Sequence, residues 1–175
     1  MQETPRQYTK RILKNVEGKD PLAILSSTPT RIAKLLRGIP LKRLSARPDP
    51  TRWSVGMILA HLADAELVSG YRFRLVLGSN RTTIQAFDQD AWAAFSHYAK
   101  HDPRLSLEAY RVQRERTVRL LKSLPRNMWN YYGMHSERGK ETVKRMAQMI
   151  AGHDINHLRQ IERMVRGKKQ APTPR

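Results

Sequence analysis

The 175-residue chain contains no cysteine. Disulfides, thiolate metal sites and a cysteine nucleophile are therefore excluded. Any thiol chemistry must use a thiol that arrives as a substrate, and any metal must be held by His, Asp, Glu or backbone oxygen. Long apolar runs are also lacking, and nothing approaches the ~20 residues of a membrane-spanning helix. Met1 to Lys19 is polar and has no apolar middle of the kind a secretory signal needs. The expectation is a cytoplasmic protein with no membrane span. Acidic residues are scarce: 15 Asp and Glu stand against 33 Lys and Arg, a net charge of +18. Such a balance favours an anionic partner, whether nucleic acid, a membrane surface or an acidic small molecule. No helix-turn-helix or other reading motif accompanies the charge, so a solvated basic surface is the simpler account. Period-two alternation is scarce too, which argues against strands.

What is present is a helical pattern punctuated by proline and glycine. With 39% hydrophobic residues the chain can fill one core. Residues 1–19 are basic and weakly patterned, a loose arm or a short helix. Asp20-Pro21 looks like an N-cap followed by proline at the first helical position, and Thr28-Pro29 repeats the signal. A first core helix then runs to about Arg37, where Gly38 and Pro40 stop it. Residues 39–53 form a proline-rich loop ending at Trp53, with Ser54 as the next N-cap. A second helix covers about Val55 to Leu77. The connection 80–103 carries Ile84, Phe87, Trp92, Phe95 and Tyr98, too apolar for a free linker, so it folds back on the bundle with one short helix near Asp90 to Lys100. A third helix runs from about Arg104 to Leu124, turning Leu107, Tyr110, Val118 and Leu121 inward. Residues 125–140 read as a loop, and a fourth helix runs from about Glu141 to Val165 with Thr142 as a cap. The expected architecture is all-α: a four-helix bundle at 20–166, with a long crossover between the second and third helices and a basic flexible tail at 167–175.

The fourth helix carries the chemistry. Val143, Met146, Met149, Ile150, His153, His157, Ile161 and Met164 recur at spacings of three and four, the inward stripe of an amphipathic helix. His153 and His157 are ~40° apart in rotation and ~6 Å apart in rise, so two imidazoles can converge on one ion. The stretch differs from H-E-x-x-H, since Asp154, Ile155 and Asn156 fill the gap. His61 lies in the stripe Ile58, His61, Ala65 and Val68 of the second helix. Three buried imidazoles without partners are costly, and convergence on a metal satisfies one nitrogen of each. Three protein ligands with an open position typify catalytic sites.

Trp53-Ser54, His61-Leu62, Asp64, Glu66 and Arg72 resemble the DinB/YfiT-like superfamily. So do Phe87-Asp88-Gln89-Asp90 with Trp92 and Tyr98, His135 with Gly139 and Thr142, and Gly152-His153-Asp154 with His157 and Gln160-Ile161. The resemblance covers about residues 20–165. It implies a four-helix bundle in which His61, His153 and His157 hold a divalent ion, zinc or nickel first, iron or manganese next. Members of that family include thiol-dependent transferases and isomerases, and the resemblance does not identify the reaction. A three-His site with an open position suits an enzyme acting on a small molecule, which would activate a low-molecular-weight thiol for S-transfer or a water for hydrolysis. A binding module for nucleic acid or an anionic surface is the alternative, and a homodimer is compatible with either.

Other residues are candidates in supporting roles. Asp64 and His135 are candidates for moving protons. Glu66 and Asp154, with Asp64, could orient the ligand imidazoles from behind; the alternative for each is an ion pair with one of the many arginines. Arg72 and Arg159 could hold an anionic substrate. His135 could instead be a loop residue bonded to backbone. His97 and His101, also four apart, read as a surface pair.

Overall fold

The computed structural model describes residues 3–167. Seven helices and three short strands follow in the order α1 (Pro5–Lys14), α2 (Pro21–Leu36), α3 (Leu41–Ser45), α4 (Val55–Gly78), β1 (Thr82–Ile84), α5 (Gln89–Phe95), α6 (Pro103–Lys122), β2 (Tyr132–His135), β3 (Gly139–Thr142) and α7 (Val143–Val165). Helices α2, α4, α6 and α7 make the expected four-helix bundle. Each begins on a side chain that caps it: Asp20 accepts from Leu22 N, Ser54 from Met57 N, Asp102 from Arg104 N and Thr142 from Arg145 N. Pro21 and Pro103 occupy the start of α2 and α6, where no amide hydrogen is needed.

The bundle is not a simple up-and-down one. Helix α2 packs on α6 and α7, and so does α4. Gly56 faces Pro103 and Gly70 faces Thr117, so α4 and α6 start together and run in the same direction. A parallel neighbour can be reached only by returning the full helix length, about 36 Å for the 24 residues of α4. The 79–102 connection makes that return, which is why it is long. Two apolar clusters fill the bundle. One gathers Leu25, Phe73, Val76, Val118, Leu121, Val143 and Met146; the other Ile32, Ile58, Leu59, Leu62, Tyr110, Leu158 and Ile161.

Several details depart from the sequence expectation. Strands are present: β1 pairs parallel with β2, and β2 pairs antiparallel with β3 in the register Tyr132↔Thr142 to His135↔Gly139. The supposed loop at 125–140 is thus a 3₁₀ turn at Arg126–Asn130 followed by a hairpin. Strands of three and four residues are too short to display alternation. Gly133 is needed there, because a Cβ would lie 2.5 Å from Ile84 Cδ1. The 39–53 segment contains the short helix α3, held on by the buried Leu44. Pro29 does not begin a helix but lies inside α2.

The basic N-terminal segment is ordered as α1, opened by a capping box between Thr4 and Gln7. It docks on α7. Gly152 permits this, since a Cβ there would sit 2.2 Å from the Ile12 carbonyl oxygen. Asn15 Nδ2 donates to the Gly152 carbonyl at 3.2 Å. The expected flexible tail lies, beyond Gly167, outside the described residues. No described helix is long and apolar enough to cross a membrane.

Candidate metal centre

His61 is in the second turn of α4 and His153 and His157 are at mid-length in α7. Because α4 packs on α7, their rings meet. His61 Nε2 lies 3.0 Å from His153 Nε2, and His157 Nε2 lies 3.1 Å from the same atom. All three ligand atoms fall within 4.8 Å of one another. Nitrogens bound to one ion at about 2.0–2.1 Å in tetrahedral array would be about 3.3 Å apart. The two separations at His153 are close to that spacing, and the third lies within 4.8 Å. Hydrogen bonding alone explains the convergence poorly, because two neighbours would compete for one lone pair on His153.

The electrostatics favour neutral rings. Burial, and then His157, holds His61 well below its ordinary value of 6.5. Burial followed by His157, His61, Arg114 and Arg11 does the same for His153. Burial pushes His157 down to about 4 against the opposing effects of Gln160 and Asp154. His157 Nδ1 lies 2.9 Å from Gln160 Oε1, so it carries the proton and leaves the Nε2 lone pair facing its neighbours. Unprotonated imidazole is the form that binds metal. His61 is buried, while His153 and His157 are half-buried. Trp53 packs 5.2 Å from the His61 ring and 6.1 Å from Tyr98.

The three carboxylates expected behind the rings bind elsewhere. Asp64 Oδ2 accepts from the Tyr98 hydroxyl at 2.6 Å. Glu66 and Asp154 both pair with Arg114, whose Nε donates to Glu66 at 2.7 Å and whose Nη2 donates to Asp154 at 3.1 Å. All three members of this triad are buried. Burial opposes the Arg114 charge, but Asp154, Tyr110 and Glu66 hold its pKa above the ordinary arginine value. His61 Nδ1 is buried with no hydrogen-bond partner. The arginine-pair alternative is what the structure places at Glu66 and Asp154.

His135 is buried on β2, with Nδ1 accepting from Glu137 N at 3.2 Å and Nε2 unpartnered. Burial, with Arg138 next, pushes it down to about 4. Arg72 donates to the Gln85 carbonyl and stacks on Phe87 at 5.7 Å. Arg159 is exposed and donates to Asn15 Oδ1 at 2.9 Å, so it ties α1 to α7. His97 and His101 are exposed, and His101 Nε2 is 2.8 Å from the Ser96 carbonyl.

Sequence reasoning assigned no role to three residues near the centre. Gln160 was legible as the residue one turn after His157. Arg114 filled the gap in the stripe Leu107, Tyr110, Val118, Leu121. Arg11 gave no signal: it donates to Asn156, between the two α7 histidines, at 3.2 Å and to both Glu3 oxygens at 2.8 Å.

The chain is similar to known proteins in sequence and in fold. The model of the DinB superfamily matches residues 24–161. YfiT of Bacillus subtilis, named as a candidate metal-dependent hydrolase, is 26% identical over 166 residues, covering 91% of each chain. A similarly named protein of Oceanobacillus iheyensis is 25% identical over 136 residues, covering 75% of this chain and 76% of its own. The solved structure of the Bacillus subtilis YfiT superposes with a TM-score of 0.77 at 21% identity, covering 94% of this chain and 89% of that one; it is described as having an unusual four-helix bundle topology.

Proposed function

The chain belongs to the DinB superfamily, and from that premise and its three convergent imidazoles we propose that it is a divalent-metal-dependent enzyme acting on a small molecule. The observation that carries this reading is the pair of Nε2 separations, 3.0 and 3.1 Å, between neutral rings from two helices. His61, His153 and His157 would hold the ion, with zinc or nickel the first expectation and iron or manganese next. When bound, such an ion supplies Lewis acidity, lowering the pKa of a coordinated water or thiol and polarising a substrate oxygen.

The chain's own groups do the rest. Three protein ligands, none a carboxylate, would leave a position open to substrate. Gln160 fixes the His157 tautomer, as groups behind metal-binding imidazoles generally do. The Arg114 triad locks α4, α6 and α7 at the level of the histidines, which sets the spacing of the rings. Trp53 packs on the His61 ring, with Tyr98 against Trp53. Asp64, hydrogen-bonded to Tyr98, is the carboxylate on the ligand-bearing helix that can take up a proton released by the attacking group.

The attacking group is water or a low-molecular-weight thiol. The naming of the relatives supports water, and the lack of cysteine leaves the centre free for an incoming thiol. The test is a panel of activated esters and of thiol-conjugation substrates, run with zinc-loaded, nickel-loaded and chelator-treated protein. The proposal expects turnover that disappears with chelation, returns with metal and is absent from His153→Ala. Turnover that survives both treatments would remove it.

A further inference from the structure

Arg72 lies 11 residues beyond His61 on α4. Three helical turns separate them, about 20° in rotation and about 16 Å along the axis. The two therefore share one face. Between them the face carries Ala65, Val68 and Ser69, all half-buried. The 79–102 connection lays Phe87 over the far end, where it stacks with Arg72, and Trp92 packs 5.3 Å from Phe87.

Arg72 is a half-buried cation that forms no ion pair among the described residues. Arg11, Arg114 and Arg138, by contrast, each have a carboxylate at 2.9 Å or less. Arg72 donates to a single carbonyl, that of Gln85, whose neighbour Ile84 pairs with His135. His135 is 3% exposed with an unpartnered Nε2. Arg138 and Arg72 both disfavour its charged form, against the Glu141 carboxylate that pairs with Arg138. Burial disfavours the Arg72 charge, and Glu141 and Glu137 support it only from beyond ion-pair distance, so an anion at its fork would add a charge-assisted bond. Its planar fork matches a carboxylate or phosphate.

We propose that Arg72, near His135, is the anion-recognition end of the α4 face that carries His61, so that the substrate is an elongated small molecule with an oxyanion at one end and its reacting group at the histidines. This rests on the metal-dependent reading for the reacting end only.

The experiment titrates zinc-treated protein with inorganic phosphate and, separately, with acetate, at fixed ionic strength. The chains compared are wild type, Arg72→Gln, Arg72→Lys and the charge-matched control Arg31→Gln, whose residue is exposed on α2. Binding of phosphate, acetate or both should weaken about tenfold or more in Arg72→Gln, partly recover in Arg72→Lys and stay unchanged in Arg31→Gln. Which probe binds identifies the oxyanion class. A structural arginine would lower the melting temperature when replaced, whereas Arg72→Gln is expected to leave it equal or higher. Equal losses in Arg72→Gln and Arg31→Gln, binding of neither probe, or a lowered melting temperature would overturn the proposal. Zinc stoichiometry is measured alongside: its absence would defeat the metal reading, while the phosphate and acetate titrations would still decide the role of Arg72.

Discussion

Arg114 Nη1 lies 3.4 Å from the Leu25 carbonyl oxygen. That carbonyl would normally accept from the amide four residues on, but residue 29 is proline and has no amide hydrogen. The proline inside α2 thus frees an acceptor for a buried guanidinium that also binds Glu66 and Asp154. Replacing Arg114 by Met would strand two carboxylates, one of which, Glu66, is already pushed up by burial. The expected loss is about 3–5 kcal/mol, or roughly 6–20 °C in melting temperature. Thermal and urea unfolding of Arg114→Met measure it, and a change under 1 kcal/mol would show that the triad does not hold the bundle together.

Gln160→Leu removes the acceptor on His157 Nδ1 while keeping the helix. Metal affinity is expected to fall about 10–100-fold, the usual effect of losing a group behind a metal-binding imidazole. Competition against a coloured chelator reads this directly. Unchanged affinity would mean that the His157 tautomer needs no such support.

His135 gives a pH dependence whose sign can be worked out. Its folded pKa, about 4, is below the ordinary 6.5, because burial and then Arg138 disfavour the charged ring. The unfolded chain therefore binds more protons between these values. Stability falls as the pH drops from 6.5 toward 4, by about 1.4 kcal/mol per pH unit from this residue. His135→Asn keeps an acceptor for Glu137 N but does not titrate in this range. Urea unfolding at stepped pH should give a shallower slope for the variant, and parallel slopes would show that His135 is not depressed.

Much of this was legible in the sequence. The four bundle helices announced themselves through capping residues and stripes, and His61, His153 and His157 stood out as polar residues on apolar faces. The parallel course of α4 and α6 was hidden, because the length of the 79–102 connection can be read as a crossover without fixing which helices become neighbours. The strands were hidden by their shortness. An arginine partner for Glu66 and Asp154 was one of the two readings, but its identity was hidden, because a charged residue at 114 reads as exposed until two acids are seen to face it. The docking of α1 was hidden because its reason lies 140 residues away, at Gly152.

Gly152→Ala tests that docking. The new methyl would meet Ile12 carbonyl oxygen at 2.2 Å, so backbone must move. A loss of about 1–3 kcal/mol is expected, with hydrogen-exchange protection falling in α1 before α2 or α6. Normal protection of α1 in the variant would contradict the tight contact.

The central claim is that one divalent ion is shared by three imidazoles. X-ray absorption at the metal edge of purified, metal-loaded protein tests it most directly. One ion per chain with three imidazole nitrogens at about 2.0–2.1 Å is predicted for zinc, falling to two in His61→Ala. A spectrum without imidazole scattering, or one unchanged by His61→Ala, would contradict it.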